Sequence, residues 1–244
     1  MIRIFADGQA GTGASITLSG EKAHYLSAVL RCKAGDTIII TDSTGSVYNA
    51  RLTTLTRKQA TLAVGKPCAP VPESPLEIIV LQGLLKGEKM DLVIQKATEL
   101  GVKRIIPVIT ERSQLRETRK TERWKKIAEE ASRQCGRASI PFIEEPLDFM
   151  RALPGSSGAN VCGIIFWERE GAPFSPVLKQ FGETKRIMLC IGPEGGFSEK
   201  EARTAADRGF VITSLGKRIL RAETATIAAL AIVQFGLGDM GTVS

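Results

Sequence analysis

Residues 186–198 read Arg186-Ile187-Met188-Leu189-Cys190-Ile191-Gly192-Pro193-Glu194-Gly195-Gly196-Phe197-Ser198. The first six are a short apolar run that ends at a glycine, the pattern of a strand buried on both faces of a parallel sheet. The next five form a turn. Its three glycines leave the main chain bare to a flat ligand, Pro193 stiffens it and Glu194 adds one carboxylate. Ser198-Glu199-Lys200-Glu201 then reads as a capping box that opens a helix. Strand, glycine turn and helix in this order predict an α/β domain whose ligand lies beyond the carboxyl ends of the strands. The turn is no phosphate cradle, because it has neither the Gly-Lys-Ser/Thr ending of a Walker loop nor the Gly-x-Gly-x-x-Gly of a dinucleotide fingerprint.

Outward from this stretch the same texture recurs. Apolar runs at 76–81, 104–109, 161–166 and 210–215 predict further strands of one mostly parallel sheet, with helices between them. One helix carries Met90, Val93, Ile94, Ala97 and Leu100 on a single face and stops at Gly101. Another carries Trp124, Ile127, Ala128, Ala131 and Cys135, and a last one covers about 223–235. Residues 1–66 differ: short strands at 2–5, 15–18, 37–41, 47–55 and 59–64 with one helix at 21–30 predict a small β-barrel. Between the two textures, residues 66–75 hold four prolines, an extended connector. The expected division is a β-barrel domain over 1–72 and an α/β domain over 73–244.

Composition removes many alternatives. The chain has 244 residues, 43% hydrophobic and 24% charged, ample for a core and unlike a disordered chain. The longest apolar helical stretch, 225–233, is too short to cross a bilayer. The N-terminus has no cationic region followed by an apolar one, so a cytoplasmic location is expected. The five cysteines are widely spaced with no Cys-x-x-Cys pair, which argues against a disulfide framework and a zinc ribbon, and no metal is expected. His24 is the only histidine. A Ser-His-Asp triad would have to use it, so catalysis here must rest on positioning, main-chain amides, carboxylates, Arg or Lys, or a cofactor.

The charge is uneven. Against a net charge of +7, residues 103–137 hold eleven Lys or Arg and five Glu. A second basic knot, Lys217-Arg218 with Arg221, precedes the last helix. Two basic clusters on a basic chain suit phosphate contact with RNA better than a small neutral substrate. That knot lies in a second loop, Leu215-Gly216-Lys217-Arg218-Ile219-Leu220-Arg221-Ala222-Glu223-Thr224-Ala225, where apolar Leu215, Ile219 and Leu220 beside Gly216 suit an adenine ring, with Arg221 and Glu223 close by.

The two loops together, Ile191-Gly192-Pro193-Glu194-Gly195-Gly196 and Leu215-Gly216-x-x-Ile219-Leu220-Arg221-x-Glu223-Thr224-Ala225, resemble those of the RsmE family of bacterial 16S ribosomal RNA uridine-N3 methyltransferases. Supporting matches are Leu85-Lys86-Gly87-Glu88-Lys89-Met90, Glu111-Arg112-Ser113, Gln134-Cys135-Gly136-Arg137 and, near the N-terminus, His24-Tyr25-Leu26 with Gly35-Asp36. The resemblance covers essentially the whole chain. It implies a PUA-like barrel followed by a SPOUT α/β domain tied in a trefoil knot, a topology that no periodicity reveals, and a homodimer.

The cofactor so implied is S-adenosylmethionine, held by Ile191, Gly192, Pro193, Glu194, Gly195 and Gly196 of one loop and by Leu215, Gly216, Ile219, Leu220, Arg221, Thr224 and Ala225 of the other. The implied substrate is 16S rRNA of the small ribosomal subunit. The methyl on a sulfonium is already activated, so the protein must align it with uracil N3 and help that nitrogen lose its proton. Arg221 is expected to orient the base or stabilise developing charge. Glu194 or Glu223 is the expected proton acceptor, and either also fits a loop-stabilising role. Arg3, Arg31, Lys86, Lys89, Arg112, Arg133 and Arg137 are expected to hold RNA. Two other functions fit the same residues: an rRNA-binding protein without catalysis, and a knotted methyltransferase acting on a ribose 2′-hydroxyl or on tRNA.

Overall fold

The structure is a computed structural model that describes residues 1–154 and 162–241. The chain divides into two compact units, Met1–Glu73 with Ser132–Ser139, and Ser74–Ala131 with Ile140–Ser244. Val161, where the sequence predicts a strand to begin, lies outside the described residues.

The first unit holds β1 (Arg3–Phe5), β2 (Ser15–Ser19), the short helix α1 (Glu21–His24), β3 (Thr37–Thr41), β4 (Val47–Leu55) and β5 (Gln59–Pro67). The sheet order is β1-β3-β4-β5-β2. All pairs are antiparallel except β1 with β3. The β3–β4 turn is built on Asp42, whose Oδ1 accepts from the N–H groups of Thr44 at 2.9 Å and Ser46 at 3.0 Å. Alternate strand residues Ile38, Ile40, Leu52 and Leu62 meet Ile4 and Leu26 in one core. This is a curled PUA-like half-barrel with β1 and β2 as its edges, more open than the barrel read from the strand pattern. The predicted helix over 21–30 also differs. Only its first turn is α. Tyr25–Val29 widens into a π-helix, with Leu30 N–H donating to Tyr25 O at 2.9 Å, and Arg31 follows in the left-handed region at φ 53°.

The second unit runs β6 (Glu77–Gly83), α2 (Lys89–Glu99), β7 (Arg104–Ile109), α3 (Thr121–Cys135), β8 (Phe142–Ile143), β9 (Leu147–Asp148), α4 (Phe149–Ala152), β10 (Cys162–Phe166), β11 (Ala172–Pro173), α5 (Phe174–Lys179), β12 (Arg186–Ile191), α6 (Glu199–Asp207), β13 (Phe210–Ser214) and α7 (Ala222–Leu237). The last turn of α3 belongs to the first unit. The sheet order is β11-β13-β10-β12-β6-β7-β8, with β9 also alongside β7, and every pairing in it is parallel. Strand β12, the sequence that decided the fold, lies between β6 and β10 and feeds both faces. Its Ile187, Leu189 and Ile191 enter one core while Met188 and Cys190 enter the other. That explains why its apolar run is unbroken. This is the SPOUT α/β class the sequence led to.

Helix α7 is fixed to β6 and to the end of α2 by polar groups that find partners. Thr226 Oγ1 donates to Gln82 Oε1 at 2.6 Å, and Gln234 Nε2 donates to Leu100 O at 2.8 Å. Both glutamines are buried, so each bond answers a group that would otherwise be stranded. The sequence missed β8, β9, α4, β11 and α5, which are all too short to show a period.

Candidate active site at the strand ends

Strands β10, β12 and β13 are neighbours and parallel, so the loops that follow them emerge on one edge of the sheet. There they enclose a cavity of about 420 Å3. Ile191, Gly192, Pro193, Glu194, Gly195 and Gly196 line it from the β12 loop, and Leu215, Gly216, Ile219, Leu220, Arg221, Glu223 and Ala225 from the β13 side. Thr224 does not reach the wall; it is exposed in the first turn of α7. The sequence missed Phe166, Trp167 and Glu168, which come from the end of β10, and it read Lys89 as an RNA contact although it also lines this cavity.

Glycines shape the β12 loop by contact. Gly196 N–H donates to Pro193 O at 2.9 Å, closing a tight turn, and Gly196 has φ 68°. A Cβ on Gly192 would lie 3.0 Å from Gly196 C, and one on Gly195 3.0 Å from Arg112 Cβ. Gly83, at the end of β6, lies so close under Pro193 that any side chain would collide with the loop's backbone. The sequence gives no sign of this, because the two residues are 110 positions apart.

The capping box forms as read: Glu201 N–H donates to Ser198 Oγ at 3.3 Å and Ser198 N–H to Glu201 Oε2 at 2.8 Å. Its second oxygen does more. Oε1 accepts from Glu111 N–H at 2.8 Å, which ties the β12 loop to the loop after β7. Arg112 on that loop donates from Nη1 to Gly195 O at 3.3 Å.

The two candidate acids have different surroundings. Glu194 Oε1 accepts from Lys89 Nζ at 3.0 Å and from Lys86 N–H at 3.2 Å. Partial burial works to raise its carboxyl, but the Lys89 ammonium and the main-chain N–H groups of Glu194 and Lys86 outweigh it and hold the group below the usual carboxylate range. Glu194 is therefore a charged strut between the β12 loop and the start of α2. Glu223 stands in the first turn of α7, and its Oε2 is buried with no hydrogen-bond partner among the described residues. Arg221 occupies the N-cap position of α7 without a side-chain cap bond and is exposed, so its guanidinium is available to a ligand.

The expected RNA contacts fall in both units. Lys86, Lys89 and Arg112 belong to the second. Arg3, Arg31, Arg133 and Arg137 belong to the first. Arg133 lies over the Tyr25 ring, 4.6 Å from its centroid, and Arg3 donates from Nη1 to Gly136 O at 3.1 Å. Arg137 has different surroundings. It is 7% exposed, with Nη2 2.8 Å from Glu73 Oε2, so its charge is committed to holding that segment rather than offered to phosphate. Among the described residues no group of three or more His, Cys, Asp or Glu is arranged to hold a metal, and no helix is long and apolar enough to cross a membrane.

A family model described as an RNA methyltransferase domain matches residues 72–234, and one described as an RNA methyltransferase PUA domain matches residues 18–64. The ribosomal RNA small subunit methyltransferase E of Synechocystis sp. is 36% identical over 220 residues, which span 89% of this chain and 72% of that protein. That of Bacillus subtilis is 30% identical over 91% of this chain and 90% of its own length. The chain belongs to the ribosomal RNA small subunit methyltransferase E family. The Neisseria gonorrhoeae member of that family, solved bound to S-adenosylmethionine, is similar to this chain with a TM-score of 0.90 and 32% identity, over 98% of this chain and 99% of the other. A Legionella pneumophila protein solved in complex with the same cofactor gives a TM-score of 0.89 at 32% identity.

Proposed function

We propose that this chain is an S-adenosylmethionine-dependent methyltransferase that modifies N3 of a uridine in 16S rRNA of the small ribosomal subunit. The observation that carries this reading is the cavity at the ends of β10, β12 and β13, built from both loops that the sequence nominated, in a chain whose relatives are named ribosomal RNA small subunit methyltransferase E. Its wall fits an adenosine with a charged sulfur: a glycine loop with bare main chain, apolar Ile191, Leu215, Ile219 and Leu220, and a carboxylate oxygen of Glu223 with no hydrogen-bond partner among the described residues. Bound there, S-adenosylmethionine supplies an activated methyl group.

The chain's own residues supply the rest. The rigid loops fix the position of the reacting groups, which is the main catalytic term when no metal and no histidine takes part. Arg221 faces the base and stabilises the negative charge that grows on the uracil ring as N3 loses its proton. Glu223 is the proton acceptor, because the other candidate, Glu194, is occupied by Lys89 and Lys86. RNA is held by Arg3, Arg31, Arg133, Lys86, Lys89 and Arg112, with residues 1–72 as the RNA-binding domain and 73–244 as the catalytic one. The protein acts in the cytoplasm as a homodimer. The test is to incubate it with labelled cofactor and small ribosomal subunits and locate the label. Label on N3 of one 16S uridine supports the reading; label on a ribose hydroxyl, on tRNA or nowhere overturns it.

A further inference from the structure

Among the described residues, six charged side chains line the cavity: Lys89, Glu168, Glu194, Arg218, Arg221 and Glu223. Lys89 and Glu194 neutralise one another at 3.0 Å. Glu168 has no such match. It makes no hydrogen bond or ion pair with the described residues, and its carboxylate rests on the β12 loop: a Cβ built on Gly196 would lie 3.0 Å from its Oε1 and 3.1 Å from its Oε2.

The backbone that carries Glu168 is firmly held. Trp167 N–H donates to Thr213 O at 2.9 Å and Trp167 Nε1 donates to Phe197 O at 3.3 Å. Trp167 is 3% exposed, so the residue after it leaves the sheet from a pinned position. Glu168 is exposed to solvent, and its carboxylate lies against Gly196, the residue of the β12 loop with positive φ, at the mouth of the cavity.

The cofactor named above carries two positive centres, a sulfonium and an α-ammonium, against one carboxylate. Such a ligand needs more anionic than cationic matching from the wall. We infer that Glu168 is a cofactor-recognition residue, whose carboxylate supplies the counter-charge to the cationic end of S-adenosylmethionine over Gly196. The inference rests on the methyltransferase reading and adds a residue from the β10 loop to a site the sequence had built from two loops alone. It assigns Glu168 a contact with cofactor and no part in proton transfer.

The experiment is a calorimetric titration of the full chain and of its Glu168→Gln and Glu168→Asp variants. The ligands are S-adenosylmethionine and 5′-methylthioadenosine, which has the same adenosine and no charge. Glu168→Gln is expected to weaken S-adenosylmethionine about tenfold, equivalent to ~1.4 kcal/mol, and the loss should shrink as salt is raised. Its affinity for 5′-methylthioadenosine should stay within about twofold of the parent's, and Glu168→Asp should recover most of the loss. Equal losses for both ligands would mean that Glu168 merely shapes the loop. An unchanged affinity for S-adenosylmethionine would mean that it does not touch the cofactor. Either result overturns the inference while leaving the proposed function standing, whereas failure of the parent chain to bind either ligand overturns both.

Discussion

Replacing Glu201 with Ala tests how the cofactor loop is held. Glu201 is 5% exposed, and each of its oxygens accepts one main-chain N–H at 2.8 Å, Ser198 on one side and Glu111 on the other. The Ala variant strands both donors. A buried unsatisfied group costs about 1–3 kcal/mol. Ser198 is buried and takes the upper part of that range, while Glu111 is exposed and its N–H can turn to water. The sum is about 2–4 kcal/mol, which at ~2–4 °C per kcal/mol for a chain of this size lowers Tm by roughly 5–15 °C. Glu201→Gln keeps one acceptor oxygen and should lose about half as much. Circular dichroism melts of the three proteins give the shifts. Calorimetry at a temperature where all are folded should show weaker binding of S-adenosylmethionine in the Ala variant, because the β12 loop has lost its anchor to the β7 loop. A Tm within about 1 °C of the parent's would refute the reasoning, since two lost charge-assisted bonds cannot leave stability untouched.

Three further outcomes are expected. Arg221→Ala should fold normally and lower kcat by about a hundredfold or more, the scale for one group that stabilises transition-state charge; near-normal turnover would remove Arg221 from the mechanism. In the first unit, Asp42 is buried, which works to raise its carboxyl, but the N–H of Ala10, the hydroxyl and N–H of Thr44 and the N–H of Ser46 outweigh burial and lower it. A lowered folded value means stability that is present above the ordinary carboxylate range, near 4, and lost as pH falls through the folded value. The gap in denaturation midpoint between the parent and Asp42→Asn should therefore be open at neutral pH and close as the solution is acidified; a gap that widens in acid contradicts the assignment. Finally, Arg133→Met should reduce the slope of log affinity for rRNA against log salt by about one. Arg137→Met should leave that slope alone and lower stability instead, because Arg137 is spent on Glu73.

What the sequence revealed follows the range of the forces involved. The β12 strand was readable because burial on both faces demands an apolar residue at every position from Ile187 to Ile191, and the Ser198 cap because its partner is three residues away. Both loops of the cavity were readable for the same local reason. Contacts set by distant residues were not. Arg137 looked like any basic residue near a helix end, yet it pairs with Glu73, 64 positions earlier, and donates to Ser139 Oγ. Gly83 carries its requirement from Pro193, and Glu168 sits in Glu168-Arg169-Glu170, which reads as a solvated charge run. The π-helical turn at Tyr25–Val29 keeps helical residue types, so periodicity passes over it.

The most direct measurement is a crystal structure of this chain grown with S-adenosylmethionine. Its adenosine should lie between the 192–196 turn and Leu215, Ile219 and Leu220, with the methyl open to Arg221 and Glu223. A cofactor lodged elsewhere, or those two loops empty in crystals that hold the compound, would contradict the account.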